Sequence, residues 1–124
     1  MFNVELSVSG HGGYAVLALC GELDLADAPV VASRLIAAVA AFGPSIIVDL
    51  AGLEFIDCCA LGVLVRVLKW TRESGGDMYL VGPQLRVRRV VEVTGMIGVF
   101  PVYPTVEQAV TGARLARPLS AAAS

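Results

Sequence analysis

The segment of residues 46–67 restricts the possible folds of this chain more than any other stretch. Residues 46–50 form a nearly continuous apolar run, which is typical of a central strand covered on both faces. From Cys58 onward the apolar residues recur at helical spacing on one face, at Leu61, Leu64, Val65 and Leu68. A buried strand followed directly by an amphipathic helix predicts an α/β fold.

The connection between this strand and helix is the first candidate for a functional site. We predict a short turn at residues 51–52, followed by Asp57 at the start of the helix. The first backbone N–H groups of a helix lack intrahelical acceptors, and the positive end of the helix dipole lies there. Ligands of α/β proteins bind at such loops. We therefore expect the function to involve Asp57, Cys58 and Cys59.

The remaining patterns predict single strands and helices in alternation. Predicted strands cover residues 2–9, 14–19, 46–50, 78–81 and 99–102, with a turn at residues 10–13. The first predicted helix can be capped by Asp24 or Asp27 and ends near residue 42. The next two predicted helices cover residues 58–73 and 84–94, and the last begins after Thr105. The order is ββαβαβαβα, a mixed central sheet of about five strands with about four helices. One domain, residues 1–116, is expected before a disordered tail, residues 117–124.

Composition excludes several classes of function. The chain is 56% hydrophobic, carries only 16% charged residues and has a net charge of −2, so no basic footprint for nucleic acid exists. No uncharged run reaches the roughly 18 residues that a membrane-spanning helix needs, and no secretory signal opens the chain, so we expect a cytoplasmic protein without membrane insertion. Three cysteines and one histidine, without CxxC spacing, predict neither a disulfide framework nor a metal or other cofactor.

One apolar strip beside the core stripe of the second helix has two interpretations. It comprises Val63, Val67 and Trp70. The strip either widens the contact with the core or remains exposed for a partner protein. In the second case, a homodimer is one possible outcome.

Several stretches together resemble a known family. They are Gly21-Glu22-Leu23-Asp24, the strand at 46–50, Phe55-Ile56-Asp57, Leu61-Gly62, and residues 87–96 and 99–110. Their order and spacing resemble a STAS domain of the bacterial anti-sigma factor antagonist type, and the resemblance covers residues 2–113.

This resemblance implies a regulatory protein and not an enzyme. Members of the family bind an anti-sigma factor, often an ATP-dependent serine kinase, and so free a sigma factor for transcription by partner switching. The kinase phosphorylates the first Ser of an Asp-Ser-Ser/Thr-Gly motif, and the added charge of about −1.5 to −2 repels the partner beside an acidic residue. The resemblance implies that the partner-binding residues are Asp24, Asp57, Cys58, Cys59 and Leu61.

The chain departs from that motif at its centre. Cys58 occupies the position of the phosphorylated Ser, Cys59 follows it, and Ala60 replaces the Gly. Because a thiol is not a usual substrate of a serine kinase, regulation by phosphorylation is in doubt. Either the cysteines are small replacements in an antagonist that phosphate does not switch off, or the protein has left the sigma pathway for another signalling complex.

A third interpretation of the cysteines is redox control. The dipole at a helix start favours a thiolate in the first turn, whereas the neighbouring Asp57 disfavours it. Oxidation would add bulk where the phosphate sits in relatives. A disulfide between Cys20 and this pair is a further possibility that the sequence leaves open. An anion-binding module at the same helix N-terminus is a separate hypothesis, but the chain lacks a phosphate-binding GxxxxGK[ST] motif.

Overall fold

A five-stranded mixed sheet forms the centre of the computed structural model, which describes residues 4–116 apart from the side chain of Ile97. The strands are β1 (Val4–His11), β2 (Tyr14–Leu23), β3 (Ile46–Ile56), β4 (Met78–Val81) and β5 (Val102–Tyr103). They lie in the order β1-β2-β3-β4-β5. Only the β1–β2 pair is antiparallel, and the other three pairs are parallel. The predicted mixed sheet is confirmed.

Helices cover both faces of this sheet. They are α1 (Ala28–Phe42), α2 (Cys58–Glu73), α3 (Leu85–Val93) and α4 (Val106–Leu115), with a short 3-10 turn at Met96–Gly98. Buried residues of α1, α2 and α3 share one core with one face of the sheet, whereas α4 packs on the other face. The predicted element order ββαβαβαβα is confirmed. None of these helices, within residues 4–116, has the length and hydropathy to span a membrane.

The central strand β3 is buried on both faces, as its apolar run predicts. Ile46 and Val48 point into the core shared with α1 and α2, while Ile47 points into the core formed with α4. All three side chains are fully buried. A strand in this position fixes the place where its carboxyl end emerges, and that end holds the candidate site.

β3 is longer than its sequence pattern predicts. The predicted turn at residues 51–52 is wrong, because the strand continues to Ile56 and pairs with a β2 that itself extends to Leu23. The register shifts after Ala18, and this irregularity brings Cys20 opposite Gly52. A β-carbon at Gly52 would collide with the Cys20 sulfur. The glycine therefore serves a close approach of two strands and not a turn.

The hairpin before it is tighter than predicted. Only Gly12 and Gly13 form the turn, with φ of +60° and +88°, and His11 is already paired with Tyr14 in the ladder. Two consecutive residues with positive φ are the requirement of a type I′ hairpin. The Arg114 Nη2 atom of α4 donates to the Gly12 carbonyl at 2.8 Å, which holds the turn against the last helix.

The helix ends lie close to their predicted positions, and two apolar residues at these ends are exposed. Asp27 occupies the N-cap position of α1 but makes no side-chain capping hydrogen bond, whereas Thr105 caps α4 by accepting a hydrogen bond from the Gln108 N–H at 3.2 Å. Phe42 and Leu85 are apolar, yet they are 52% and 63% exposed. Each is a terminal residue of its helix. The predicted disorder of residues 117–124 falls outside the described residues.

Candidate functional site

The candidate site lies where β3 ends and α2 begins. Asp57 is the single residue between Ile56 and Cys58, in an extended conformation that makes it the N-cap of α2. Its Oδ1 atom accepts a hydrogen bond from the Ala60 N–H at 2.7 Å. This bond satisfies one of the otherwise unpaired donors of the first turn, so Asp57 caps α2.

The second carboxylate oxygen of Asp57 reaches a different loop. Oδ2 accepts the Leu25 N–H at 3.1 Å, and the Asp57 N–H donates to the Leu23 carbonyl at 3.1 Å. The two hydrogen bonds join segments 32 or more residues apart in the chain. Asp57 therefore holds the loop after β2 against the first turn of α2.

Cys58 and Cys59 are the first two residues of α2, and both are exposed and free. Ala60 and Leu61, directly after them, are buried in the main core. Leu61 retains only 2% of its side-chain exposure, so it is not available as the partner-binding residue that the family resemblance suggests. Its apolar side chain anchors the first turn of α2 to the sheet, and the surface here belongs to the two cysteines.

Asp24 lies on the loop that Asp57 holds. Its carboxylate accepts the Asp27 N–H at 3.2 Å, and its carbonyl accepts the N–H groups of Asp27 and Ala28. The residue thus shapes the entry to α1 one turn before the N-cap position, and its side chain remains half-buried. This geometry leaves a partner contact as a proposal.

One residue of this surface escaped the sequence analysis. Leu25 follows Asp24, is 55% exposed, and is fixed by its hydrogen bond to Asp57. The available signal was an apolar residue placed between two acidic residues in a loop. That pattern was indistinguishable from the end of a strand because Leu23 and Leu25 alternate with Glu22 and Asp24.

The third cysteine lies elsewhere on the fold. Cys20 is exposed on β2 opposite Gly52, and all three cysteines are free. The structure therefore contains no disulfide between Cys20 and the pair at α2. Asp49, which accepts the Ala51 N–H at 3.0 Å, has a local structural role in β3.

The apolar strip of α2 is only partly exposed. Val67 is buried, Val63 is half-buried against the core, and Trp70 is 36% exposed. Of these three side chains, only Trp70 presents substantial apolar surface. Most of the strip widens the core contact.

The start of α2 is poorly suited to binding a free anion. The Asp57 carboxylate already accepts one of its orphan N–H groups and places a negative charge there. This charge opposes a second anion at the same helix end. The geometry thus weakens the hypothesis of a nucleotide- or anion-binding module.

Comparison with known proteins identifies the family of this chain. The STAS domain profile matches residues 5–109. RsfA of Mycobacterium tuberculosis, an anti-sigma-F factor antagonist, is 31% identical over 111 residues, covering 87% of this chain and 86% of RsfA. The crystal structure of an anti-sigma factor antagonist from Mycobacterium paratuberculosis superposes with a TM-score of 0.79 at 30% identity, covering 90% of this chain and 94% of that one. SpoIIAA, at 21% identity and a TM-score of 0.75, supports the fold alone. The chain therefore belongs to the STAS domain family.

Proposed function

We propose that this chain is an anti-sigma factor antagonist. It binds an anti-sigma factor of the serine-kinase type by partner switching and so frees a sigma factor for transcription. It acts in the cytoplasm as a binding protein and not as an enzyme. The names of its relatives support this role, since proteins that match most of the chain are anti-sigma factor antagonists.

The observation that carries the proposal is the pair of hydrogen bonds made by the Asp57 side chain. They bring the loop after β2 and the first turn of α2 together. We call the result the docking surface, and it consists of Asp24, Leu25, Asp57, Cys58 and Cys59. Interfaces need an apolar centre with a polar rim, and here the exposed Leu25 lies among acidic and small residues.

The charge of this surface suits a partner that presents basic groups. The two salt bridges among residues 4–116 join Arg72 to Asp77 and Arg88 to Glu92, so both carboxylates of the docking surface lack a cationic partner within the described chain. A basic side chain of an anti-sigma factor would find two acidic groups beside the apolar Leu25. Such complementarity favours association and selects the correct partner.

Regulation of this antagonist differs from that of relatives with a serine at the same position. The exposed Cys58 is the phosphorylation-equivalent residue, and its thiol does not accept phosphate from an ordinary serine kinase. We infer that phosphorylation at this position does not end the interaction. The protein then acts as an antagonist whose activity depends on its abundance.

The test uses capture from a lysate of the source organism under reducing conditions, with mass spectrometry of the retained proteins. We expect recovery of an ATPase-type anti-sigma factor, and we expect Asp57→Lys and Cys58→Arg each to abolish that recovery. Glu73→Lys, an equal charge change at the far end of α2, is the matched control and should bind normally. Circular dichroism verifies that each variant is folded.

Two results would contradict the proposal. Normal recovery of the anti-sigma factor by both folded variants would remove the docking surface from the interaction. A lysate that contains such a factor but yields none with the native chain would remove the antagonist role itself.

Thiol oxidation is a second candidate for regulation, favoured by the exposure of both Cys58 and Cys59. An oxidised thiol would add bulk in the centre of the docking surface. The same capture repeated after mild peroxide treatment tests this. Loss of binding by the native chain, but not by a variant with both residues changed to Ala, would establish thiol control; equal binding by both would exclude it.

A further inference from the structure

The two edges of the sheet are built very differently. The edge strand β5 has two residues and lies between Pro101 and Pro104. Short length and proline are the usual protections of an edge against pairing with another strand. The opposite edge, β1, has eight residues with no Pro, Lys or Arg, and its pairing with β2 contains no bulge. Apart from the single charge of Glu5, β1 therefore lacks the features that keep an edge unpaired.

The register of the hairpin shows which backbone groups of β1 face outward. His11 and Tyr14 flank a two-residue turn, so they form a hydrogen-bonded pair, and every second residue before His11 also bonds to β2. The intervening residues direct their N–H and C=O groups away from the sheet. They are Val4, Leu6, Val8 and Gly10. No other element within residues 4–116 makes a recorded hydrogen bond to these groups.

We propose that β1 pairs with β1 of a second copy of this chain and forms a homodimer with one continuous ten-stranded sheet. The two strands run antiparallel about a two-fold axis at Ser7, which places Leu6 opposite Val8 and Val4 opposite Gly10. This register pairs all four outward-facing residues in hydrogen-bonded positions, and every outward N–H of one copy meets a carbonyl of the other.

Side chains on both faces of the seam agree with this register. On the helix-covered face, Val8, which is 37% exposed, lies opposite the half-buried Leu6 of the second copy. On the other face, Glu5 lies opposite Ser9 and Ser7 opposite Ser7. Since like charges directly opposite destabilise a pair of strands, a register that keeps the two Glu5 residues apart is favoured. This inference is independent of the proposed function.

The first test is the mass of the native protein in solution, measured by sedimentation over a range of concentrations. We expect a reversible dimer. Val8→Pro removes an N–H that points outward and is not part of the β1–β2 ladder, so it should leave the monomer folded. Two intermolecular hydrogen bonds are lost by symmetry, and we expect the dissociation constant to rise about a hundredfold.

A charge variant gives a matched control. Val8→Lys places on the edge the residue that natural edges use against pairing, and we expect a monomer. Val93→Lys makes the same change at an exposed apolar residue of α3, away from the edge, and should remain a dimer. A native chain that is monomeric at every concentration would overturn the proposal. A dimer that survives both substitutions at residue 8 would also overturn it.

Cysteine cross-linking tests the register directly, in a background with Cys20, Cys58 and Cys59 changed to Ser. Ser7 faces its own copy in a non-hydrogen-bonded pair, whose Cα separation of about 4.5 Å permits a disulfide. Ser7→Cys should therefore form a covalent dimer under mild oxidation. Ser9→Cys faces Glu5 of the second copy and should not form a covalent dimer. Cross-linking of Ser9→Cys in preference to Ser7→Cys would overturn this register. If β1 instead pairs with a partner of another kind, such as an extended peptide, both variants stay monomeric, and this result would overturn the dimer.

Discussion

At the scale of single residues, Asp57 combines two structural tasks that are usually separate. A helix N-cap ordinarily satisfies a donor of its own helix, as Oδ1 does with Ala60. Here Oδ2 also satisfies a donor of a distant loop through Leu25. Any partner that docks on Asp57 therefore meets a residue whose position is fixed from two sides, which lowers the entropy lost on binding.

Replacement of this carboxylate should destabilise the domain measurably. We expect Asp57→Ala to lower the free energy of unfolding by about 2 kcal/mol, because the cap contributes about 1 kcal/mol and the bond to Leu25 a similar amount. Urea denaturation measures the change. Glu54→Ala removes an exposed carboxylate nearby that makes no recorded hydrogen bond, and it should cost less than about 0.5 kcal/mol. Equal losses in the two variants would contradict the capping argument.

A buried tyrosine on the face of the sheet that α4 covers predicts a pH dependence of stability. Burial, assisted by the negative charge of Asp77, raises the pKa of Tyr79 from 10.0 to about 12. Between these values the unfolded chain loses the phenolic proton while the folded chain retains it. Stability is therefore fully present below about pH 10 and falls as the pH rises towards 12.

Tyr79→Phe should remove this contribution. We expect the unfolding free energy of the native chain to fall by up to about 1.4 kcal/mol per pH unit more steeply than that of the variant in this window. Denaturation curves at several pH values measure the two slopes, and the other tyrosines are common to both proteins. Parallel slopes would show that Tyr79 titrates alike in the folded and unfolded chains.

At the scale of elements, two helical glycines have opposite reasons to be present. Gly62 of α2 has open space where a β-carbon would be, whereas a β-carbon at Gly112 of α4 would overlap the ring and hydroxyl of Tyr103. The close approach of α4 to β5 therefore depends on Gly112. Gly62 has no such packing reason.

These surroundings predict opposite effects of one substitution. Gly62→Ala should raise the free energy of unfolding by about 0.5–1 kcal/mol, because Ala is the better helix former. Gly112→Ala should lower it by about 1–3 kcal/mol, since overpacking forces α4 and Tyr103 apart. Thermal or urea denaturation compares the two variants, and a change of the same sign in both would refute the packing argument.

The same scale shows which parts of the fold are predictable from sequence. The bounds of α2 follow from the sequence, because the Asp57 cap and Gly75-Gly76 mark its ends locally. The extension of β3 to Ile56 does not, because it depends on pairing with β2 across a register shift. Ala51 and Gly52 have the composition of a turn, and only the partner strand makes them part of the sheet.

The residues of the candidate site are likewise predictable from sequence only in part. Asp57, Cys58 and Cys59 are predictable since they are consecutive and lie at a helix start that local pattern reveals. Leu25 is not, because its place beside them results from a hydrogen bond between residues 32 positions apart. The burial of Leu61 depends on tertiary packing, but its position in the apolar stripe of α2 already predicted that its side chain faces the core.

At the scale of the whole molecule, the buried cores and the proposed docking surface occupy different parts of the fold. The two buried cores lie between the sheet and its helices, while the proposed docking surface lies beyond the carboxyl end of β3. Substitution of the exposed Cys58 or Cys59 therefore leaves the cores intact. This separation allows the regulation of the protein to change at one surface position without a change of fold.

The regulatory state should accordingly be reversible by one substitution. We expect Cys58→Ser to make the chain a substrate of a serine-kinase anti-sigma factor, because it restores a hydroxyl at the first helical residue after Asp57. The fold tolerates a phosphate there because residue 58 is exposed to solvent, yet the phosphate adds about −1.5 to −2 charges to the proposed docking surface beside Asp57. Phosphorylation should therefore release the partner without unfolding the domain.

Incubation with ATP and the captured anti-sigma factor, followed by intact mass measurement, tests this. The native chain should remain unmodified, whereas Cys58→Ser should gain one phosphate and lose affinity for the factor. Cys59→Ser is the matched control, with the same substitution one residue along the same exposed turn. Two results would contradict this prediction: a phosphate on Cys59→Ser, or no phosphate on Cys58→Ser when the kinase is active. Either would show that the cysteine at residue 58 is not the reason why this protein escapes control by phosphate.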